Sequence, residues 1–395
     1  MKLNEQLKQF ILAHESDNIH DLALKANKYK GLDVNYAIQQ IKGRQIAKIK
    51  IPSWYDNAEI IYPRHLSMEQ CSSEYTARYK ADLCEGNTMV DLTGGFGVDI
   101  AFLSSKFPKA TYIEQQAELY SIAKHNFKIL DLCIDTHNTT SESYLEEMVA
   151  VDLIYIDPAR RDDIGRKTVR IEDCTPNVIE IEELLEKKSK KTMIKLSPML
   201  DISLALNSVK NVSDVYVISH NNECKELLFV KDNANLVAVT NIHCVNIIQG
   251  KAKVDNFIFT KVSEDTLNIS YAKELGKYLY EPNSSILKAG AYKSVANQFK
   301  LQKLHPNSHL YTSDDLIESF PGRIFNIEAI SSPDKKSLRK SGEINKANLS
   351  TRNFPISTQE LAKKLNIKDG GNIYLFGTTM ADEKKILIIC HKVVI

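Results

Sequence analysis

Residues 88 to 99, Thr-Met-Val-Asp-Leu-Thr-Gly-Gly-Phe-Gly-Val-Asp, constrain the chain more than any other stretch. Apolar Met89, Val90 and Leu92 read as a short buried strand. Gly94, Gly95 and Gly97 follow, and the polarity then turns helical. Glycine reaches positive φ and lets the backbone come close to a ligand. The helix behind the turn presents N–H groups at its N-terminus. A strand, a glycine turn and a helix in succession commit the surrounding chain to an α/β arrangement that cradles a nucleotide-like ligand.

Strands and helices alternate from here to about residue 246. Strands are expected at Met89–Leu92, Ala110–Ile113 (ending in Glu114), Leu132–Ile134, Val151–Ile156 (ending in Asp157-Pro158) and Thr192–Leu196 (ending in Ser197-Pro198). Helices are expected from Ala101, over Gln116–Phe127 and over Val178–Lys188, the last with a basic C-terminal end that suits the helix dipole. Such alternation predicts a parallel sheet with helices on both faces. Asp214–Ile218 and Glu226–Val230, joined by the polar turn Ser219–Lys225, close it as an antiparallel hairpin.

Residues 1–80 read as a helical cap. Leu3, Leu7, Phe10 and Ile11 recur at helical spacing, and Asp33 caps a helix through Val34, Ala37, Ile38 and Ile41. Pro52 ends that pattern near Trp54. Ser72 or Ser73 with Glu74 starts a further helix placed to fold back over the ligand. Beyond 246 the texture changes. One helix is expected at Ser294–Leu304, a boundary turn at Pro321-Gly322 and a strand at Arg323–Glu328. A basic, loop-prone stretch follows, carrying Lys335, Lys336, Arg339, Lys340, Lys346 and Arg352. Then come a helix at Thr358–Leu365, a turn at Asp369-Gly370-Gly371, and strands at Tyr374–Gly377 and Lys385–Cys390. The expected domains are 1–80, 81–248, 249–322 and 323–395.

Composition narrows the class. The 395 residues have room for more than one domain, and a net charge of +1 announces no global attraction to nucleic acid. The 7 cysteines are scattered without a C-x-x-C pair, which points to a reduced cytoplasm and away from a disulfide framework or a zinc site. The first residues, Met-Lys-Leu-Asn-Glu-Gln, lack the apolar core of a signal peptide, and no apolar run approaches membrane-spanning length. No metal and no membrane partner are expected.

The turn itself selects the ligand. It reads G-G-x-G, not the G-x-G-x-x-G of dinucleotide sites, and it lacks the Lys-Ser/Thr pair of a phosphate-binding P-loop. The Asp91 to Gly97 pattern resembles the first motif of class I S-adenosylmethionine-dependent methyltransferases. Glu114, at the end of the second strand, fits a carboxylate that accepts both ribose hydroxyls. The resemblance implies S-adenosylmethionine as cofactor, held by Asp91, Thr93, Gly94, Gly95, Gly97, Asp99, Glu114, Thr140 and Asp157. Thr140 stands where the class often places an acid near the adenine amine, and Glu142 follows it closely.

Other motifs extend the resemblance over nearly the whole chain. Gln40-Ile-Lys-Gly-Arg44 with Lys50-x-Pro-x-Trp54 resembles the N-terminal signature of a bacterial family of class I methyltransferases carrying a THUMP-like C-terminal domain. Asp157-Pro-Ala-Arg-Arg161 is similar to that family's fourth motif, and Tyr278-Leu-Tyr-Glu-Pro282 with Ile286-x-Lys-Ala-Gly290 to its ferredoxin-like insert. Thr351-Arg-Asn-Phe-Pro355 and Asp369-Gly-Gly371 with Tyr374-Leu-Phe376 resemble its THUMP-like tail. THUMP domains belong to RNA-modifying enzymes, so the resemblance implies a Rossmann-like catalytic sheet, an α+β C-terminal module and an RNA substrate such as tRNA or rRNA. Arg160, Arg161, Lys335, Lys336, Arg339 and Arg352 are the candidate phosphate contacts.

The fourth strand carries the chemistry. Methylation of an adenine amine usually goes with Asn/Asp-Pro-Pro and a stacking aromatic, and Ala159-Arg160 departs from that pattern. Lys80, Asp157, Lys195 and Glu226 fall on strand and helix ends in an order that resembles the tetrad of ribose 2′-O-methyltransferases. In that reading a lysine amine takes the hydroxyl proton while carboxylates orient it. The expected function is therefore S-adenosylmethionine-dependent methylation of an RNA base or ribose. The alternatives are a methyltransferase of proteins or small molecules and a non-catalytic binder of RNA or S-adenosylmethionine.

Overall fold

The computed structural model describes residues 4–160, 170–235, 237–250 and 254–394. By internal contacts the chain divides into two units. One comprises Met1–Val215 with Lys225–Val239, the other Tyr216–Cys224 with Thr240–Ile395.

The first unit begins with helices α1 (Glu5–Ala13), α2 (Ile19–Leu24) and α3 (Val34–Lys50), each started by a side chain that accepts from a first-turn N–H: Asn4, Asn18 and Asp33. Leu7, Ile11, Leu22, Ala37 and Ile41 pack these helices on one another. Pro52 breaks α3 and opens the short α4 (Pro52–Tyr55). Next comes a buried non-helical segment, Ile60 to Tyr62. The Gln40 amide pairs with both N–H and C=O of Tyr62 (2.9 Å each), and Asn126 does the same for Ile61 (2.9 Å each). Two interior amides thus satisfy backbone that has no ladder of its own. Helices α5 (His65–Gln70) and α6 (Glu74–Ala81), the latter capped by Ser73, lead into the sheet.

The sheet strands are β1 (Thr88–Asp91), β2 (Lys109–Ile113), β3 (Ile134–His137), β4 (Val151–Ile156), β5 (Ser189–Leu196), β6 (Asp214–His220) and β7 (Glu223–Asp232). Within the first unit their order is β7-β5-β4-β1-β2-β3, parallel except for β7 against β5. Helices α7 (Val98–Leu103), α8 (Ala117–Ile129), α9 (Ser141–Glu147), α10 (Glu182–Lys188) and α11 (Ile202–Ser208) join the parallel strands. Registers Asp91↔Tyr155 and Tyr155↔Met193 align the carboxyl ends of β1, β4 and β5. Ligands of open parallel sheets bind at those ends.

Three boundaries differ from expectation. β3 begins at Ile134 rather than Leu132, because Asp131 turns the chain with φ +54 just after α8. Helix α10 starts at Glu182, not Val178; Asn177 Oδ1 accepts from Ile179 N–H at 3.1 Å and holds the preceding residues in a turn. The turn between β6 and β7 shrinks to Asn221-Asn222, with φ +50 and +63, so both strands run longer than their apolar cores.

The second unit continues with the antiparallel pair β8 (Asn241–Ile247) and β9 (Asp255–Thr260), then α12 (Lys261–Thr266). A further sheet contains β10 (Tyr278–Pro282), β11 (Tyr311–Ser313), β12 (Gly322–Ser331), β13 (Lys346–Arg352), β14 (Lys368–Thr379) and β15 (Lys385–Lys392). Between them lie α13 (Ser284–Ala289), α14 (Tyr292–Gln298), α15 (Lys335–Lys340) and α16 (Thr358–Leu365). In β15, Ile386, Ile388 and Cys390 join one core cluster while Leu387 and Ile389 join another, so this strand is buried on both faces. The expected helix 294–304 ends at Gln298, where Lys300 adopts φ +52. The basic stretch 335–352 is not a loop. Asp334 caps α15 through Ser337 N–H (2.8 Å), Leu338 enters the core, and β13 pairs in parallel with β14. Asp369-Gly370-Gly371 lies within β14 at a register shift, with positive φ at both glycines. Among the described residues no helix is long and apolar enough to cross a membrane.

Candidate active site

The glycine turn is tied down on every side. Asp91 Oδ1 accepts from Thr93 N–H (3.0 Å), and Gly94 N–H donates to Ile113 C=O (2.8 Å). Glu114 accepts from Gly95 N–H (2.9 Å) with one oxygen and from Gln116 N–H (2.7 Å) with the other. Asp157 N–H donates to Thr93 Oγ1 (2.6 Å), joining the turn to the end of β4. Phe96 packs edge-to-face against Trp54, with ring centroids 5.1 Å apart, so the N-terminal helices brace the turn. Gly97, at φ +87, starts α7 in a conformation that a side chain resists.

This turn fits S-adenosylmethionine. A Cβ built on Gly95 meets only Thr93 C=O at 3.9 Å, so its α-carbon borders open space. Glu114 is buried, and burial pushes its carboxyl up while the backbone N–H groups pull it down. Each of its oxygens keeps a second lone pair, enough for two ribose hydroxyls. Thr140 Oγ1 accepts from Ser143 N–H (3.2 Å) and caps α9. Asn138, which donates to Glu114 C=O (2.7 Å), and Ser141, which donates to Leu92 C=O (2.7 Å), were not singled out from the sequence. Polar residues after a strand are too common for spacing alone to mark them.

Lys80, Asp157, Lys195 and Glu226 come together. Lys80 Nζ lies 2.8 Å from Glu226 Oε1, and Lys195 Nζ lies 2.6 Å from Asp157 Oδ2. Asp99 joins the two pairs: Oδ1 is 2.8 Å from Lys80, and Oδ2 is 3.4 Å from Lys195. Ser72 Oγ sits between, 2.9 Å from Lys80, 3.1 Å from Lys195 and 2.7 Å from Asp99 Oδ2. Tyr155 hydroxyl also donates to Asp99 (2.8 Å). The carboxylate of Asp99, expected at the cofactor, therefore points into this network. Its place in the first turn of α7 gave no sign of that, since α6, β4, β5 and β7 must assemble before its partners exist.

The electrostatics follow from burial against pairing. Burial pushes the Asp99 carboxyl up, but Lys80 and Lys195 together outweigh it and hold the group below the usual carboxylate range. Burial alone would lower Lys195; Asp157, Asp99 and Glu226 reverse that and raise it well above the usual lysine value. At Asp157 burial outweighs the pull of Lys195 and leaves the carboxyl above its usual range. Its side chain is 37% exposed, against 0% for Lys80. That exposure and the 2.6 Å contact with Lys195 favour the ionised form at neutral pH.

The candidate substrate residues separate. Arg160 lies on a two-residue strand just past Asp157, and Arg161 falls outside the described residues. Lys335, Lys336 and Arg339 are exposed on α15. Arg352 is elsewhere: it donates to buried Glu281 (2.8 Å), which Arg323 also binds, joining the Tyr278–Pro282 and Thr351–Pro355 motifs.

Comparison with known proteins agrees with this geometry. Residues 278–321 match a family described as a ferredoxin-like domain, and 322–392 match one described as THUMP domain-like. Two curated Mycobacterium tuberculosis proteins, from strains H37Rv and CDC 1551 / Oshkosh, are 20% identical over 306 residues, 76% of this chain and 80% of theirs. Both are named uncharacterized S-adenosylmethionine-dependent methyltransferases. A crystal structure from Porphyromonas gingivalis W83, provisionally named a methyltransferase, covers 100% of both chains at 34% identity with a TM-score of 0.87. With the glycine turn, Glu114 and the C-terminal domains in place, the chain belongs to the class I S-adenosylmethionine-dependent methyltransferases that carry a THUMP-like C-terminal domain.

Proposed function

We propose that this methyltransferase acts on RNA, with tRNA or rRNA as the substrate. The observation that carries the reading is a basic face on the THUMP-like domain. Helices α15 and α16 bury Leu338, Leu361 and Leu365 in one core cluster. Their outer surfaces expose Lys335, Lys336, Arg339, Lys340, Lys363 and Lys364. A chain of net charge +1 that gathers so many cations on two adjacent helices has built a local phosphate-binding surface.

S-adenosylmethionine, when bound, supplies an electrophilic methyl group on a sulfonium. The chain supplies the rest. Glu114 and the turn at Gly95 are the residues to hold the cofactor. Asp157, at the end of β4 and tied to the turn through Thr93, faces the acceptor. Lys195 holds Asp157 in place from behind.

Labelled S-adenosylmethionine incubated with the protein and RNA from a strain lacking it should place label in RNA. Charge reversal of Lys335, Lys336 and Arg339 should reduce labelling through weaker RNA binding. Label appearing instead in protein or in a small molecule would replace this reading.

A further inference from the structure

The network behind Asp157 bears on which atom receives the methyl group. This rests on the RNA reading above and deepens it. Lys80 is ringed by ion-pair partners, while Lys195 has three N–H groups and three oxygens to meet them. Lys80 faces Ser72 Oγ (2.9 Å), Asp99 Oδ1 (2.8 Å) and Glu226 Oε1 (2.8 Å). Lys195 faces Asp157 Oδ2 (2.6 Å), Ser72 Oγ (3.1 Å) and Asp99 Oδ2 (3.4 Å). Ser72 fixes the hydrogens between them. Its one proton goes to Asp99 (2.7 Å), so its two lone pairs must each accept from a lysine. A neutral lysine would turn its own lone pair toward a serine or carboxylate oxygen. The arrangement is complete only with Lys195 as an ammonium ion.

An ammonium with every N–H engaged has no lone pair to take a proton. The two lysines meet three carboxylates, and the surplus negative charge falls on Asp157, the member open to solvent. A carboxylate is a weak base. It does little to activate a ribose hydroxyl, which is a poor nucleophile until its proton is leaving. It is well matched to a nitrogen whose lone pair is already available and which becomes positive as the new bond forms.

We infer that the acceptor is a nitrogen of an RNA nucleobase, with Asp157 the catalytic residue and Lys195, Ser72, Asp99 and Lys80 positioning residues. In the step, the nitrogen lone pair forms the bond to the methyl carbon. The carbon–sulfur bond breaks, and its electron pair stays on sulfur as the neutral thioether. If the nitrogen carries a hydrogen, that proton passes to the Asp157 carboxylate and on to water. If it is a pyridine-type ring nitrogen, no proton is lost and the cationic product rests against the same carboxylate.

The experiment digests RNA methylated by the full chain to nucleosides and locates the methyl group by mass spectrometry. Methyl on a base nitrogen is the expected result. Methyl on the ribose oxygen or on a ring carbon overturns the inference while leaving the RNA reading intact. No methyl in any RNA, with S-adenosylmethionine binding seen by calorimetry, overturns both. The pH profile is a second readout. Turnover should rise once, as Asp157 ionises, and stay flat into the alkaline range. A further rise toward the lysine range means that a lysine is the base and the inference fails. Asp157→Asn, assayed at saturating S-adenosylmethionine, should lose about 10²- to 10⁴-fold in turnover; unchanged turnover contradicts it. Lys195→Met should move the acidic limb upward in pH, since removing the ammonium makes Asp157 easier to protonate. A merely structural role would leave that limb in place.

Discussion

At the scale of single residues, Asp99 has the largest consequence. Its carboxylate is buried against two ammonium ions, and Asp99→Asn leaves both short of a counter-charge. The expected loss is about 3–5 kcal/mol at neutral pH, as for other broken buried pairs. The pH dependence has a definite sign. A carboxyl held below its usual range contributes stability at every pH above that range, and the contribution is lost only as pH falls through the depressed value. Lys195, held above its usual range, loses its contribution only as pH rises past the ordinary lysine value. The gap between wild type and Asp99→Asn in urea unfolding should therefore stay constant between roughly pH 5 and 9 and narrow in strong acid. The glycine turn offers a contrasting pair. Gly95→Ala adds a methyl group to open space at φ +55 and should weaken S-adenosylmethionine binding with a modest cost in stability. Gly97→Ala puts Cβ 2.6 Å from the Phe127 ring at φ +87 and should destabilise the fold itself. Calorimetry together with melting temperatures separates the two.

At the scale of elements, the buried segment Ile60–Tyr62 depends on two amides rather than on a strand partner. Asn126→Ala leaves the Ile61 N–H and C=O unmet, whereas Gln40→Ala leaves only the Tyr62 N–H unmet, since Gln39 also donates to the Tyr62 C=O (3.1 Å). Each should cost about 1–3 kcal/mol for every group left unsatisfied. Hydrogen exchange at Ile61 and Tyr62 should rise in both variants while β1 and β4 stay protected; equal loss of protection in the strands would mean that the segment does not open separately. The Gln40–Arg44 motif thus has a structural account. Gln40 holds the segment, Gly43 lets Tyr62 pack at 2.3 Å from where a Cβ would stand, and Arg44 pairs with Glu15. Helix α15 shows the limit of reading elements from charge. Lys335 to Lys340 looks like a solvated loop, but one capping aspartate and one buried leucine suffice for a helix against a sheet.

At the scale of the whole molecule, cofactor and RNA should act on different observables. Saturating S-adenosylmethionine should raise the unfolding free energy by about 2.7 kcal/mol at a hundred times its dissociation constant. RNA affinity should fall steeply with salt. Each removed cation on α15 should lower the slope of log affinity against log salt by about 0.7–0.9 if it contacts a phosphate. A salt slope unchanged in the Lys335→Glu, Lys336→Glu variant would place RNA elsewhere.

The sequence by itself determined the α/β class, the strand–turn–helix around Gly94 to Gly97, and the carboxyl-terminal acids Glu114 and Asp157. Each of these is written in local periodicity, in residues that only one backbone conformation accepts, or in a strand's last position. It also supplied Lys80, Lys195 and Glu226, by comparing the ends of elements. Only the tertiary structure decided what they do together. Asp99 and Ser72 belong to the charge network because α6 and α7 bring them beside β4, β5 and β7, contacts that span 27 to 123 residues of sequence. Arg352 likewise pairs with Glu281 from 71 residues away, a partner its neighbours in the sequence do not announce. Hydrogen-bond saturation is a property of several residues meeting at one point, so no spacing along the chain records it.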